Sequence, residues 1–226
     1  ADNAETTDQD EAGIYVFSGL AAGTYSVTVV PPASLQQIGP LETEFAISSL
    51  QVLDGPRASA SGDFNGDGMV DLVVGSGISN QLGVFLNADN GDFADPVHYT
   101  TGHGPSDIAV ADLDNDGHLD LVTANINSAT VSLLSGNADG TFDTAQTLVV
   151  GSMPTGVQVA DVNQDGYLDI LVSNEMSDSV SVLRGKEGGG FETRTDFPAG
   201  DAPQGLVLLD FDKDGDLDLA VPNFDD

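Results

Sequence analysis

Four short acidic segments carry the residue types in this chain that could do chemistry. Each reads D-x-[DN]-x-D-G-x-x-D, so oxygen-bearing side chains stand at positions 1, 3, 5 and 9 and glycine stands at position 6. The first aspartates are Asp63, Asp112, Asp161 and Asp210, spaced by 49 residues each time. A fixed period of this length indicates a repeat architecture in which every repeat carries one candidate ion site.

Oxygen atoms at this spacing favour a hard cation, and Ca²⁺ takes about six to eight oxygen ligands. Side chains at positions 1, 3 and 5 of a tight loop converge on its centre, and position 7 can offer its backbone carbonyl. The position-9 residues, Asp71, Asp120, Asp169 and Asp218, can add a bidentate carboxylate. Glycine at position 6 suits a sharp bend that a Cβ would disfavour. We therefore expect four calcium sites, one in each segment.

The EF-hand shares the first half of this pattern, but it needs glutamate at position 12 and a helix on each side. Position 12 here is Val74, Thr123, Val172 or Val221. Apolar residues at positions 2, 8 and 10 would also hold each segment against a sheet. The sequence thus predicts strand–loop–strand calcium sites. A single copy could equally be a polar turn without an ion, whereas four copies in register favour the ion.

One full repeat, residues 105–153, contains the elements that must position a loop. No part of it has helical apolar spacing over ten residues. Four short strands per repeat are typical of a β-propeller blade, whereas the rungs of a β-solenoid, the alternative, are usually shorter. The predicted strands are Ile108–Ala111, Leu119–Ala124, Val131–Leu134 and Thr144–Val150, with a turn at Asn125–Ala129.

Further positions share the period of 49 residues. They are Pro56, Pro105, Pro154 and Pro203, then Phe93, Phe142 and Phe191, each phenylalanine two residues after a glycine (Gly91, Gly140, Gly189). Glu44–Leu53 is a copy of the repeat's last segment, shorter by one residue. The chain ends after the fourth loop and a predicted strand, Leu217–Val221. We expect an all-β partial propeller of four-stranded antiparallel blades, about three and a half blades in an incomplete ring, truncated at its C-terminus.

The loop pattern resembles the FG-GAP/VCBS repeats of integrin α-subunit propellers and bacterial surface proteins, over Glu44–Asp226. The resemblance implies calcium ligands from the side chains at positions 1, 3, 5 and 9 and from the backbone carbonyl at position 7. The side chains are those of Asp63, Asn65, Asp67, Asp71, Asp112, Asp114, Asp116, Asp120, Asp161, Asn163, Asp165, Asp169, Asp210, Asp212, Asp214 and Asp218. The carbonyls are those of Met69, His118, Tyr167 and Asp216.

The N-terminal part has a different pattern. Two alternating runs, Ile14–Phe17 and Thr24–Val30, flank a glycine-containing turn and predict a β-hairpin that ends at two prolines. The residue pattern of Gly13–Pro32 resembles the end of the B-type (Cna-B or SdrD-B-like) repeats of bacterial surface proteins. We therefore expect the remnant of a β-sandwich spacer at 1–33, a linker at 34–43 and propeller blades at 44–226.

Composition limits the function. The chain has 37 acidic and five basic residues, a net charge of −32, which repels nucleic acid and anionic membranes and attracts cations. There is no cysteine, so thiol catalysis and thiolate metal sites are excluded. No apolar run is long enough to insert into a membrane. The three histidines show no paired-ligand spacing, and no serine-hydrolase or phosphate-binding motif is present.

These features predict a non-catalytic calcium-binding module of an extracellular or cell-surface protein. Its blades would act as a scaffold for adhesion or for binding a protein or glycan ligand, with Ca²⁺ stabilising each blade. The alternative is an accessory propeller of a secreted polysaccharide-active enzyme such as a lyase.

Overall fold

The computed structural model describes residues 52–88 and 92–224. The predicted spacer remnant, the linker and most of the Glu44–Leu53 segment lie outside the described residues. Within them, three blades contain four antiparallel strands each, and a fourth contains two. The 3₁₀ turn Glu175–Ser177 is the one helical element among the described residues. No described helix is long and apolar enough to cross a membrane.

Within each blade the strands lie side by side in chain order. Blade 1 contains β1 (Pro56–Gly62), β2 (Asp71–Ser76), β3 (Gln81–Phe85) and β4 (Val97–Thr100). Blade 2 contains β5 (Pro105–Ala111), β6 (Asp120–Asn125), β7 (Thr130–Leu134) and β8 (Gln146–Val149). Blade 3 contains β9 (Pro154–Ala160), β10 (Asp169–Asn174), β11 (Ser179–Leu183) and β14 (Thr195–Pro198), and β12 (Gly185–Lys186) pairs with β13 (Gly190–Phe191) as a small hairpin. Blade 4 contains β15 (Val207–Leu209) and β16 (Asp218–Ala220).

The fold confirms the predicted partial propeller with an open ring. The strand boundaries of blade 2 lie within three residues of the predicted ones, and two of them, Ala111 and Leu134, coincide. The first strand of blade 2 begins at Pro105 rather than Ile108, because Pro105 pairs with Asn125 across a bulge. Asn125, predicted to start a turn, is instead the last residue of β6.

The apolar cores lie between successive blades. β5 lies beside β1, and β9 lies beside β5. β6 and β10 are buried along their whole length, as expected for strands covered on both faces. Between blades 2 and 3, Val122 and Val131 pack with Val157 and Ile170 in one cluster. Each core cluster therefore contains residues from two successive blades.

Candidate metal-binding loops

The four acidic segments connect the first strand of a blade to its second strand. We name them loop 1 (63–71), loop 2 (112–120), loop 3 (161–169) and loop 4 (210–218). Each follows the first strand and ends where the second strand begins, at Asp71, Asp120, Asp169 or Asp218. The predicted strand–loop–strand arrangement is confirmed, and among the described residues no helix flanks any of the four loops.

Inside loop 2 the acidic side chains accept hydrogen bonds from the loop's own backbone. Asp112 accepts from Asp116 N at 3.1 Å and from Gly117 N at 2.9 Å. Asp114 Oδ1 accepts from Asp116 N at 3.2 Å, and Asp116 Oδ1 accepts from His118 N at 2.8 Å. Loops 1 and 3 repeat all four bonds, and loop 4 repeats three. These bonds turn the side chains at positions 1, 3 and 5 toward the loop centre.

Carboxylate oxygens therefore lie close together. In loop 2 the candidate ligand oxygens of Asp112, Asp114 and Asp116 lie within 4.8 Å of one another. In loop 4 the same holds for Asp210, Asp212 and Asp218. Like charges at this separation destabilise each other, and a bound cation would remove the repulsion.

In loops 1 and 3 position 3 is asparagine, and its amide relieves part of that repulsion. Asn65 Nδ2 donates to Asp67 Oδ2 at 2.9 Å, and Asn163 Nδ2 donates to Asp165 Oδ2 at 2.8 Å. Each asparagine Oδ1 accepts from the position-5 N–H, as aspartate does in the other two loops. The oxygen at position 3 is thus kept in all four loops, while loops 2 and 4 carry one more negative charge.

The glycine at position 6 is required by the backbone. Gly68, Gly117, Gly166 and Gly215 have φ of +86°, +91°, +91° and +95°, in the left-handed region that a Cβ disfavours. The predicted reason for glycine at this position is confirmed.

The position-9 aspartates have a structural role that the sequence did not reveal. Asp120 is buried, and its carboxylate accepts from Leu113 N and from Gly136 N, each at 2.8 Å. Asp71 and Asp169 make the equivalent pair of bonds, at 2.7–3.1 Å. These three carboxylates tie the start of the loop to the second residue after the third strand, whereas in the described part of the chain Asp218 of loop 4 accepts only from Phe211 N. Because each oxygen retains a second lone pair, coordination by position 9 stays a prediction.

Burial raises the pKa of Asp120 and Asp169 above the ordinary 3.8, since desolvation disfavours the charged form. The backbone N–H donors act in the opposite direction, and other carboxylates of the same loop raise the pKa further. A bound cation would therefore counteract both the desolvation of these carboxylates and the repulsion between them.

A second feature lies at the other end of the first strands. A pocket of about 350 Å³ is lined by Arg57, Ser106, Thr155 and Gln204, which are the residues after the four repeating prolines. Glu175 also lines it. Sequence reasoning missed this pocket. The period of 49 could have located the four positions, but their residue types differ and gave no chemical signal.

The family model of the FG-GAP-like repeat matches the sequence three times, over residues 63–123, 113–172 and 161–221. These matches together extend from residue 63 to residue 221. The chain therefore belongs to the FG-GAP-like repeat family, as a partial β-propeller built from such repeats. No curated protein sequence matches the chain significantly.

Solved structures support the fold. The crystal structure of BBS1N in complex with ARL6DN has a TM-score of 0.52 at 14% identity, covering 73% of this chain and 50% of that one. The Pseudomonas aeruginosa periplasmic gluconolactonase PpgL has a TM-score of 0.51 at 21% identity, covering 74% of this chain and 43% of that one. The chain spans half or less of each. Likeness at these identities concerns the fold alone.

Proposed function

We propose that the four acidic loops each bind one Ca²⁺ ion. The observation that carries this proposal is the convergence of Asp112, Asp114 and Asp116 within 4.8 Å on a loop repeated in register. The ligand set is oxygen throughout, as calcium prefers, because the loop supplies carboxylates, an amide oxygen in two copies and the position-7 carbonyl. The residues fit the ion by their chemistry.

Bound calcium would stabilise the blades. A ligand that binds only the folded chain at 100 times its dissociation constant adds about 2.7 kcal/mol per site. Replacing carboxylate repulsion by coordination is the physical source of that gain. We expect the thermal midpoint to fall when a chelator is added, and an unchanged midpoint would count against a stabilising role.

A calorimetric titration with Ca²⁺, with Mg²⁺ as competitor, tests the proposal. The wild-type chain should take up about four ions, one per acidic loop. Asp116→Asn should remove the loop 2 ion, because it weakens position 5 while keeping an oxygen for His118 N. Asp139→Asn is the matched control, since Asp139 lies outside the loops and its Oδ1 bonds Thr141. Equal uptake by both variants, or no uptake at all, would overturn the proposal.

We further propose that the loaded propeller is a non-catalytic scaffold that binds a protein or glycan outside the cell. Extracellular modules bind calcium at about 10⁻⁴–10⁻³ M, an affinity that we expect for solvent-exposed loops such as these. Burial raises the pKa of Asp107, Asp120 and Asp169, but each accepts two backbone hydrogen bonds and none of them lines the pocket. Among the described residues that line the pocket, Glu175 is the single carboxylate, so a carboxylate pair for acid–base chemistry is missing there.

Our proposed position for that ligand is the pocket at the start of the first strands. It offers a guanidinium, an amide and a carboxylate from Arg57, Gln204 and Glu175, which suit a polar ligand. A glycan array probed in calcium and in chelator, with the Arg57→Ala variant alongside, tests this placement. Loss of a glycan signal in the variant supports it. A signal that the variant retains would place the ligand elsewhere.

A further inference from the structure

The apolar residue at loop position 2 lies inside the interface with the following blade. Phe64 of loop 1 is 3% exposed and packs with Leu121, Leu134 and Phe142 of blade 2. The Phe64 and Phe142 rings meet edge to face with centroids 5.5 Å apart. Since Phe64 N donates to the Asp71 carboxylate at 2.8 Å, this anchor is connected to the loop's last residue.

The other loops show that the following blade is what buries this residue. Leu113 of loop 2 packs with Val157 and Ile170 of blade 3. Val162 of loop 3 packs in the cluster that contains Leu206 of blade 4. The corresponding Phe211 of loop 4 is 78% exposed in the part of the chain that the structure describes.

A glycine of the following blade also lies against position 3 of the loop. A Cβ on Gly189, in the blade 3 hairpin, would lie 2.6 Å from Asp114 Cβ. One repeat earlier, a Cβ on Gly140 would lie 3.2 Å from Asn65 Cβ. A contact under 3.0 Å to an atom next to the backbone cannot be relieved by side-chain rotation alone. Only glycine lets the hairpin approach the candidate ligand this closely.

We propose that loops 1 and 2 are each shared between two blades: the following blade fixes positions 2 and 3 of the loop, and the bound ion in turn holds the two blades together. This inference rests on the proposed calcium binding. Positions 2 and 3 are adjacent, so a shift of the neighbouring blade moves a ligand oxygen directly. By linkage, the factor by which docking of the following blade strengthens calcium binding equals the factor by which bound calcium strengthens that docking.

Two neighbouring glycines provide a matched experiment. Gly189 has φ +74° and lies against Asp114, whereas Gly188 has φ +85° and open space within 4 Å of the position that a Cβ would take. Alanine at either position therefore introduces similar backbone strain, and only at Gly189 does it displace the loop. NMR titration with Ca²⁺ resolves each loop through its position-6 glycine amide, Gly117 for loop 2 and Gly166 for loop 3.

Gly189→Ala should weaken calcium binding to loop 2, as reported by the Gly117 amide, by about tenfold in Kd, which is about 1.4 kcal/mol. The calcium affinity of loop 3, as reported by the Gly166 amide, should stay unchanged, and this also shows that the variant is folded. Gly188→Ala should alter neither. The shared-loop inference would be overturned if loop 2 had the same calcium affinity in both variants, or if Gly189→Ala weakened calcium binding equally in loops 2 and 3. Either result would leave the proposal of calcium binding intact. Absence of any response in the wild type would instead refute the proposed function.

Discussion

The buried carboxylate of Asp120 allows the roles of ligand and structural acceptor to be separated. Asp120→Asn keeps the shape but replaces one acceptor oxygen with an NH₂ group, which then faces Leu113 N or Gly136 N. Losing a hydrogen bond to a charged acceptor costs about 1.5–3 kcal/mol. At about 2–4 °C per kcal/mol for a domain of this size, the thermal midpoint should fall by about 3–12 °C.

The assay compares Asp120→Asn with Asp116→Asn by thermal unfolding in chelator and in calcium. Asp116 accepts from His118 N through Oδ1 alone, so asparagine preserves that bond. Asp120→Asn should therefore destabilise the chain in both buffers, and Asp116→Asn only in calcium. If the two variants melt alike in chelator, the structural role assigned to position 9 is wrong.

Three further changes probe the contacts between strands and blades. Burial raises the pKa of Asp107, so the folded chain holds the Asp107 proton more tightly than the unfolded chain does. The stability of the wild type relative to the Asp107→Asn variant should therefore be greatest below pH 3.8 and fall as the pH rises through the raised pKa. Denaturant unfolding in calcium-free buffer measures this difference, and a pH-independent value would contradict it. Ser106→Ala removes the bond to the Pro154 carbonyl of the next blade, which is 2.9 Å long, and should lower the free energy of unfolding by about 1 kcal/mol in denaturant titrations. Gly136→Ala places a methyl group against the Leu119 carbonyl, so the free energy of unfolding should fall by about 1–3 kcal/mol with or without calcium, as measured by thermal unfolding. An unchanged midpoint would show that the backbone at the end of the loop moves aside at no cost.

The sequence predicted the loops and blades well because both depend on local, repeated signals. Aspartates at alternate positions around a glycine specify the loop, and the period of 49 fixes which strands flank it. Position 9 was predicted only as a ligand. Its structural bonds depend on Gly136, 16 residues further along the chain, and that distance is set by the third strand.

The contacts between blades were harder to foresee. The period made Gly140 and Gly189 visible, but the partner of each glycine lies in the preceding repeat, at Asn65 and Asp114. Spacing within one repeat contains no information on which loop a hairpin reaches. Arg57 and its equivalents line the pocket for the same reason, through the arrangement of blades rather than through a motif.

A crystal structure of the chain grown in millimolar calcium tests the central claim most directly. We predict an ion in loop 2 bound by side-chain oxygens of Asp112, Asp114 and Asp116 and by the His118 carbonyl, at about 2.3–2.6 Å. Equivalent ions should occupy the other loops. Loops that contain only water under these conditions would contradict the account.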